Sequence, residues 1–277
     1  MTYCTVNGNL FDAAKATIGI SDLALQRGYG IFDYFKILNG RPIFLEEHLD
    51  RFYRSAANMR LAVGYSKEAV RGMIHELLEI NDLPDSGIKI LLTGGYSTDG
   101  FKTGKSNLII TQAALPTYGA FQTGGIKVIT HKHQRQMPEI KTIDYLMAVW
   151  LQPLIDERRV QDVLYHDGHL VTECPRSNIF IVTKDEKILT PAKNVLKGII
   201  RSQLLKLTDN FQVSEADVDL ADLFAAKEVF ITSTTKNILP VIQIDDKLIN
   251  NGEPGPVTLR LSAKLNTIIE EIQHAVQ

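Results

Sequence analysis

The sequence predicts a mixed α/β (α+β) protein of two domains. Three observations predict it. Segments of branched and aromatic residues are interleaved with segments of helical period, but without the strict alternation that builds a doubly wound parallel sheet. Residues 115–125 form a stretch of turn formers with no period, which separates two regions each long enough for its own core. The composition is that of an ordinary globular chain, with 277 residues, 44% apolar, 22% charged and a net charge of -2. Domains are therefore expected at 1–114 (small) and 126–277 (large), with 115–125 as the linker.

In chain order, residues 3–11 read as two short strands around the turn dipeptide Asn7-Gly8. Residues 31–38 are strand-like and end at a second turn, Asn39-Gly40. From Leu45 the period changes. Leu45, Leu49, Phe52, Ala56 and Met59 recur at steps of four and three, one face of a helix. A second helix spans 66–80, with Ser66 as its cap and Val70, Met73, Ile74 and Leu77 on one side. Strands are expected at 88–93 and 107–112. Beyond the linker they are expected at 126–131, 162–166, 170–173, 179–183, 228–233 and 241–244, with Asp167-Gly168 as a tight hairpin. Helices fit best at 144–157, 198–207 and 258–274.

Several classes drop out. The near-neutral charge gives no basic stripe for nucleic acid. No run approaches ~18 apolar residues, so no membrane span is expected. The first residues lack a basic segment followed by an apolar core, and Cys4 and Cys174 stand isolated, so a reducing cytoplasm is the expectation. No spacing suits a metal, and no P-loop, dinucleotide fingerprint, His-Glu-x-x-His or Gly-x-Ser-x-Gly is present.

Individual residues carry open readings. Lys141 precedes an apolar helix, where a cation is out of place at the positive end of the dipole. It reads as a solvated lysine or as a perturbed catalytic one. Glu173, at a strand end, reads as a surface cap or as a partner for a cationic nitrogen of a ligand. Arg51 reads as an ion pair with Glu47 four residues back, or as a phosphate clamp. Gly198 opens a helix, whose free N–H groups suit phosphate. Ser233-Thr-Thr235 is a simple turn or the other half of the same phosphate cup.

Taken in order, these segments resemble the class IV aminotransferases, the fold type IV pyridoxal-phosphate enzymes. The family comprises branched-chain aminotransferases, D-amino acid transaminases and aminodeoxychorismate lyases. The resemblance rests on Arg27-Gly-Tyr-Gly-Ile-Phe-Asp33, Glu47-His-Leu-Asp-Arg51, Ile140-Lys-Thr-Ile-Asp-Tyr-Leu146, Val171-Thr-Glu-Cys-Pro-Arg-Ser-Asn-Ile-Phe180, Leu196-Lys-Gly-Ile-Ile-Arg201 and Glu228-Val-Phe-Ile-Thr-Ser-Thr-Thr235. It continues through Leu239-Pro-Val241 and Gly255-Pro-Val-Thr258, and so covers nearly the whole chain.

The resemblance implies a small N-terminal α/β domain and a larger, β-barrel-like C-terminal domain with flanking helices. It implies pyridoxal 5′-phosphate as cofactor, an amino acid and a 2-oxo acid as substrates, a ping-pong cycle and a homodimer. By the same resemblance Lys141 is the Schiff-base lysine and proton shuttle, and Glu173 keeps the pyridine nitrogen protonated. Arg51, Gly198, Ile199, Ile200, Ser233 and Thr234 form the phosphate cup, and Tyr145 bonds the ring oxygen. Many relatives have Thr where this chain has Ile200, so one hydroxyl contact is missing while the backbone donor remains. Substrate contacts fall on Arg27, Phe32, Tyr34, Lys89 and Thr235.

The motif Phe32-Asp-Tyr-Phe-Lys36 and the Lys141-x-Ile-Asp pattern resemble the D-amino acid group more than the branched-chain group. The D-type substrate arginine is absent, because the segment reads Thr93-Gly94-Gly95, and Phe101 stands in place of the loop histidine. Arg27 and Lys89 are the cations available to a substrate carboxylate, with Arg27 expected as the main anchor. The expected function is a D-amino acid transaminase acting on a substrate such as D-alanine or D-glutamate. The alternatives are a branched-chain L-amino acid aminotransferase, an aminodeoxychorismate lyase, or a homologue that has lost activity.

Overall fold

A computed structural model describes residues 2–115, 124–207 and 211–274. The chain divides into two compact units: Met1–Pro116 with Ile140–Asp144 and Ile272–Gln277, and Thr117–Glu139 with Tyr145–Glu271. Most of the linker expected at 115–125 lies outside the described residues.

The first unit contains β1 (Tyr3–Val6), β2 (Asn9–Asp12), α1 (Leu23–Arg27), β3 (Gly30–Leu38) and β4 (Arg41–Pro42). It continues with α2 (Leu45–Asn58), α3 (Lys67–Asn81), β5 (Ser86–Thr93) and β6 (Leu108–Ala114). Both hairpin dipeptides turn as their sequence demands, with positive φ at Asn7 and Gly8 and at Asn39 and Gly40. Ser66 caps α3 by accepting from Ala69 N at 3.2 Å. The strands form one antiparallel sheet in the order β2-β1-β6-β5-β3-β4.

Alternation assigns the faces of this sheet. Ile31, Phe35, Ile88, Ile90, Leu92 and Ile110 pack with Leu49, Phe52 and Ala56 of α2 and with Val70, Ile74 and Leu77 of α3. Phe32 and Tyr34 occupy the opposite face of β3, and Lys89, opposite Tyr34 on β5, is exposed.

The second unit contains β7 (Ile126–Lys132), α4 (Leu146–Trp150), α5 (Gln152–Arg158), β8 (Asp162–His166), β9 (Glu173–Cys174) and β10 (Ser177–Val182). It continues with β11 (Ile188–Pro191), α6 (Ile199–Leu205), β12 (Val213–Ala216), α7 (Leu220–Ala225), β13 (Glu228–Ser233), β14 (Asn237–Ile244) and β15 (Lys247–Leu248). A final helix, α8, spans Pro256–His274. The nine strands form one mixed sheet, β12-β11-β10-β13-β14-β7-β8, with β15 on β14 and β9 on β10.

Residues 170–172 join the two ends of that path. Thr172 N donates to Tyr165 O of β8, and Val171 N donates to Val218 O just beyond β12, both at 2.9 Å. The sheet thereby closes as the barrel-like domain that the resemblance implied. Among the described residues no helix is long and apolar enough to cross a membrane.

Two expectations are corrected. The helix expected over 144–157 is two helices, α4 and α5, which meet at Leu151. Pro153 is the reason: it has no N–H to donate to the carbonyl four residues back, so a continuous helix loses a bond there. The strand expected over 170–173 is reduced to isolated bridges at Leu170 and Val171, with the regular strand starting only at Glu173.

Candidate active site

In the first unit the Lys141 segment lies along the free edge of β3. Phe32 N donates to Lys141 O at 3.0 Å, and Ile143 N donates to Gly30 O at 3.1 Å. Ile140 is buried in the core below. These contacts fix the backbone on both sides of the lysine, so its side chain starts from a rigid base. The Lys141 amine stands 4.6 Å from the centre of the Phe32 ring, and the Lys89 amine stands 5.7 Å from the same ring. The two amines can therefore be no further apart than the sum of those distances. Phe32, Lys89 and Lys141 thus form one cluster.

Arg51 is not paired as its helix spacing suggested. Its Nε donates to Asp33 Oδ2 at 2.8 Å and its Nη2 to Asp33 Oδ1 at 2.7 Å. Asp33 Oδ1 also faces His48 Nδ1 at 2.7 Å. All three residues are buried between α2 and β3. Burial alone would raise the Asp33 carboxyl, but the charges and hydrogen bonds of Arg51 and His48 outweigh it and hold the group well below the usual carboxylate range. For His48, burial lowers the proton affinity, the neighbouring carboxylate opposes this, and Arg51 and Lys141 push it down further. The fork uses two guanidinium nitrogens of Arg51 and leaves Nη1 outside it. His48 Nε2 is buried without a hydrogen-bond partner among the described residues. Such a nitrogen costs ~1–3 kcal/mol if left unmet.

In the second unit Glu173 is buried at the start of β9. Arg135 donates to its Oε1 through Nε at 2.8 Å and Nη2 at 2.6 Å. Its Oε2 accepts from Leu196 N at 2.9 Å and, more weakly, from Asn178 Nδ2 at 3.4 Å. Asn178 Nδ2 also donates to Leu196 O at 2.7 Å. One peptide, Leu196, thus ties the carboxylate to the start of α6. Gly198 is the N-cap of α6 and brings no side chain to its first-turn N–H groups. A Cβ there would lie 2.2 Å from Asn178 Oδ1, so a side chain would have to displace the Asn178 amide. Ile199 and Ile200 follow in the first turn of α6, which packs against β13. At the end of β13, Ser233 Oγ accepts from Lys236 N at 3.2 Å, and Thr234 and Thr235 form the half-buried turn. Tyr145 is the N-cap residue of α4.

The remaining residue singled out in the sequence stands elsewhere. Arg27, exposed at the end of α1, lies over the Phe101 ring at 5.3 Å. It therefore occupies the loop where the absent histidine would stand, whereas Lys89 clusters with Lys141. The missing arginine at Gly94 has a steric reason. A Cβ there would lie 2.9 Å from the Tyr29 ring and 3.0 Å from Leu23 Cβ, leaving little room for a longer side chain. Sequence reading missed Arg135, Asn178, Asp33 and His48. Asp33 and His48 stood inside the quoted motifs, but no local signal marked them as Arg51's partners.

The family model "Amino-transferase class IV" matches residues 30–244. A D-alanine aminotransferase of Listeria monocytogenes is 32% identical over 281 residues, covering 98% of this chain and 96% of that protein. A Methanocaldococcus jannaschii protein provisionally named branched-chain-amino-acid aminotransferase is also 32% identical, over 276 residues and 95% of each chain. The crystal structure of Escherichia coli branched-chain amino acid aminotransferase has a TM-score of 0.89 at 23% identity, covering 97% of this chain and 94% of that one. The chain belongs to the class IV aminotransferase family and is a pyridoxal-phosphate-dependent transaminase.

Proposed function

We propose that this transaminase takes the amino group of a D-amino acid and passes it to a 2-oxo acid, and that the residues above hold its cofactor. The donor set fits pyridoxal phosphate. The first unit supplies an amine, Lys141, and a guanidinium held in a buried fork, Arg51. The second supplies an ion-paired carboxylate, Glu173, uncapped first-turn N–H groups at Ile199 and Ile200 after Gly198, and the hydroxyls of Ser233 and Thr234. When bound, the cofactor supplies a ring that accepts the electron pair left at the substrate Cα.

The residues do the rest. Arg51, the α6 N-terminus and Thr234 would hold the phosphate. Glu173 would hold the ring nitrogen, with Arg135 keeping that carboxylate in place, and Tyr145 would donate to the ring oxygen. Lys141, fixed on β3, would move the proton at the substrate Cα.

The observation that carries the D-amino acid reading is the motif Phe32-Asp-Tyr-Phe-Lys36, which resembles the D-amino acid group. Lys89, against the same Phe32 ring as the Lys141 amine, would offer a cation to the substrate carboxylate. Phe32, Tyr34 and Thr235 bound the substrate, and Arg27 offers a second, two-pronged cation. The absence of arginine at Gly94 favours a second reading, a branched-chain L-amino acid aminotransferase. The exposed apolar residues Leu146, Val149 and Trp150 on α4 support a homodimer in which a second copy covers them. Two free, buried thiols, Cys4 and Cys174, suit the cytoplasm.

A panel of D- and L-amino acids with pyruvate or 2-oxoglutarate tests the reading. Consumption of D-alanine or D-glutamate supports it. Consumption of L-valine, L-leucine or L-isoleucine alone replaces it with the branched-chain reading.

A further inference from the structure

Gly87 stands in the middle of the first sheet, paired with Lys36 of β3 on one side and Ala113 of β6 on the other. Glycine weakens a strand interior, and there it often marks a bulge, a tight bend or the close approach of another group. β5 keeps its register with both neighbours through this position, and the φ of Gly87 is outside the left-handed region. The reason for glycine is therefore steric. A Cβ on Gly87 would fall inside the Tyr34 phenol, 2.6 Å from Cε2 and closer still to Cζ and Oη.

The register gives this contact a direction. Tyr34 lies opposite Lys89, and Gly87 lies one step further along, opposite Lys36 and away from Phe32. The Tyr34 ring therefore leans toward the level of Lys36. Lys89 leans the other way, with its amine 5.7 Å from the Phe32 ring. The two side chains of this cross-strand pair part, and the phenol is kept away from the end of the sheet face where the Lys141 amine meets Phe32.

We propose that Gly87 is a positioning residue for donor size: it seats the Tyr34 ring away from Lys141 and so leaves room for an amino donor whose side chain extends beyond Cβ. This rests on the reading that Lys141 acts at the substrate Cα and that Phe32 and Tyr34 bound the substrate. It holds for either configuration of the donor. With a methyl group on residue 87 the ring loses its seat. Lys36, buried on the same face, stands beside that seat on β3, so the displaced ring turns back toward Phe32 or away from the sheet. Either movement takes space from the donor side chain, and one methylene in such a space is worth roughly 10–200-fold in discrimination.

The kcat/KM ratio of a large donor to a small one reads this effect: D-leucine over D-alanine, or L-leucine over L-alanine where the protein takes L donors. We expect Gly87→Ala to lower the ratio by about tenfold or more, with the visible cofactor spectrum unchanged. Tyr34→Ala should raise it, and adding Gly87→Ala to Tyr34→Ala should change it no further, because the two residues act through one contact. A crystal structure of the Gly87→Ala apoprotein should show the ring displaced from residue 87. An unchanged ratio in Gly87→Ala, or an equal fall in the Tyr34→Ala background, overturns the proposal. If Gly87→Ala does not fold, Tyr34→Ala decides alone, and an unchanged ratio there overturns it. Turnover that survives Lys141→Ala removes the underlying placement of the substrate instead.

Discussion

Replacing Glu173 by glutamine separates what this carboxylate does for the fold from what it does for the reaction. The substitution keeps the shape and removes the charge. Glutamine keeps one acceptor oxygen where the carboxylate had two, so either Arg135 or the Leu196 N–H loses its acceptor, and Arg135, with the Pro138 carbonyl at 2.5 Å, has no counter-ion. Its side chain is 15% exposed and that of Glu173 5%, so water compensates little. Removing one partner of a buried pair costs ~3–5 kcal/mol, and the surviving Pro138 contact puts Glu173→Gln at the low end, about 3 kcal/mol. Urea unfolding of the apoprotein reads this loss as a lower midpoint. The double variant Arg135→Gln/Glu173→Gln removes both charges and should regain more than half of it, because the single variant's loss is mostly an orphaned cation. In the holoprotein the half-reaction with the amino donor should slow by at least tenfold in the single and the double variant alike, since a ring without its anion is a poorer electron acceptor. An unchanged urea midpoint in Glu173→Gln refutes the energetic argument. A wild-type half-reaction refutes the assignment of Glu173 to the ring nitrogen.

Two further outcomes are expected. Lys89→Ala should raise KM for dicarboxylic substrates such as glutamate, and Arg27→Ala should raise KM for amino donor and oxo acid alike. The visible cofactor spectrum should stay the same in both, and unchanged Michaelis constants in both variants would place the substrate carboxylate on other donors. Lys36 is 8% exposed, and burial pulls its ammonium down to about 8 from an ordinary 10.5. Between those values the unfolded chain holds a proton that the folded chain has released, so stability should climb with pH across that window and carry the full penalty below it. Lys36→Met should remove this slope, read from urea midpoints across pH; a slope that survives the substitution belongs to another group.

The parts of the structure legible in the sequence are those set by neighbours in the chain. Asn-Gly turns need positive φ at both residues, and the stripes of α2 and α3 follow from a 3.6-residue period, so these elements stand where expected. The helix after Lys141 was misread because its apolar period runs past Pro153, which breaks the hydrogen bonding but not the pattern. Strands β11 and β12 escaped because Ile-Leu-Thr-Pro and Val-Ser-Glu-Ala are too short to show an alternation.

Within the site, lone residues were legible and their partners were not. Arg51 had an obvious local partner at Glu47, whereas its actual one, Asp33, lies 18 residues away on another element. Arg135 meets Glu173 across 38 residues, and no spacing rule connects them. The sequence shows that Gly94 lacks an arginine, but only packing shows that Tyr29 and Leu23 fill the space.

The claim on which the account turns is that Lys141 carries the cofactor. Borohydride reduction of the holoprotein, followed by digestion and mass spectrometry, locates the lysine that holds pyridoxal phosphate, and Lys141→Ala provides the matching loss. The account expects the cofactor on the peptide containing Lys141, with the visible absorbance and essentially all turnover absent from Lys141→Ala. Cofactor fixed to another lysine, or a visible band unchanged in Lys141→Ala, contradicts it.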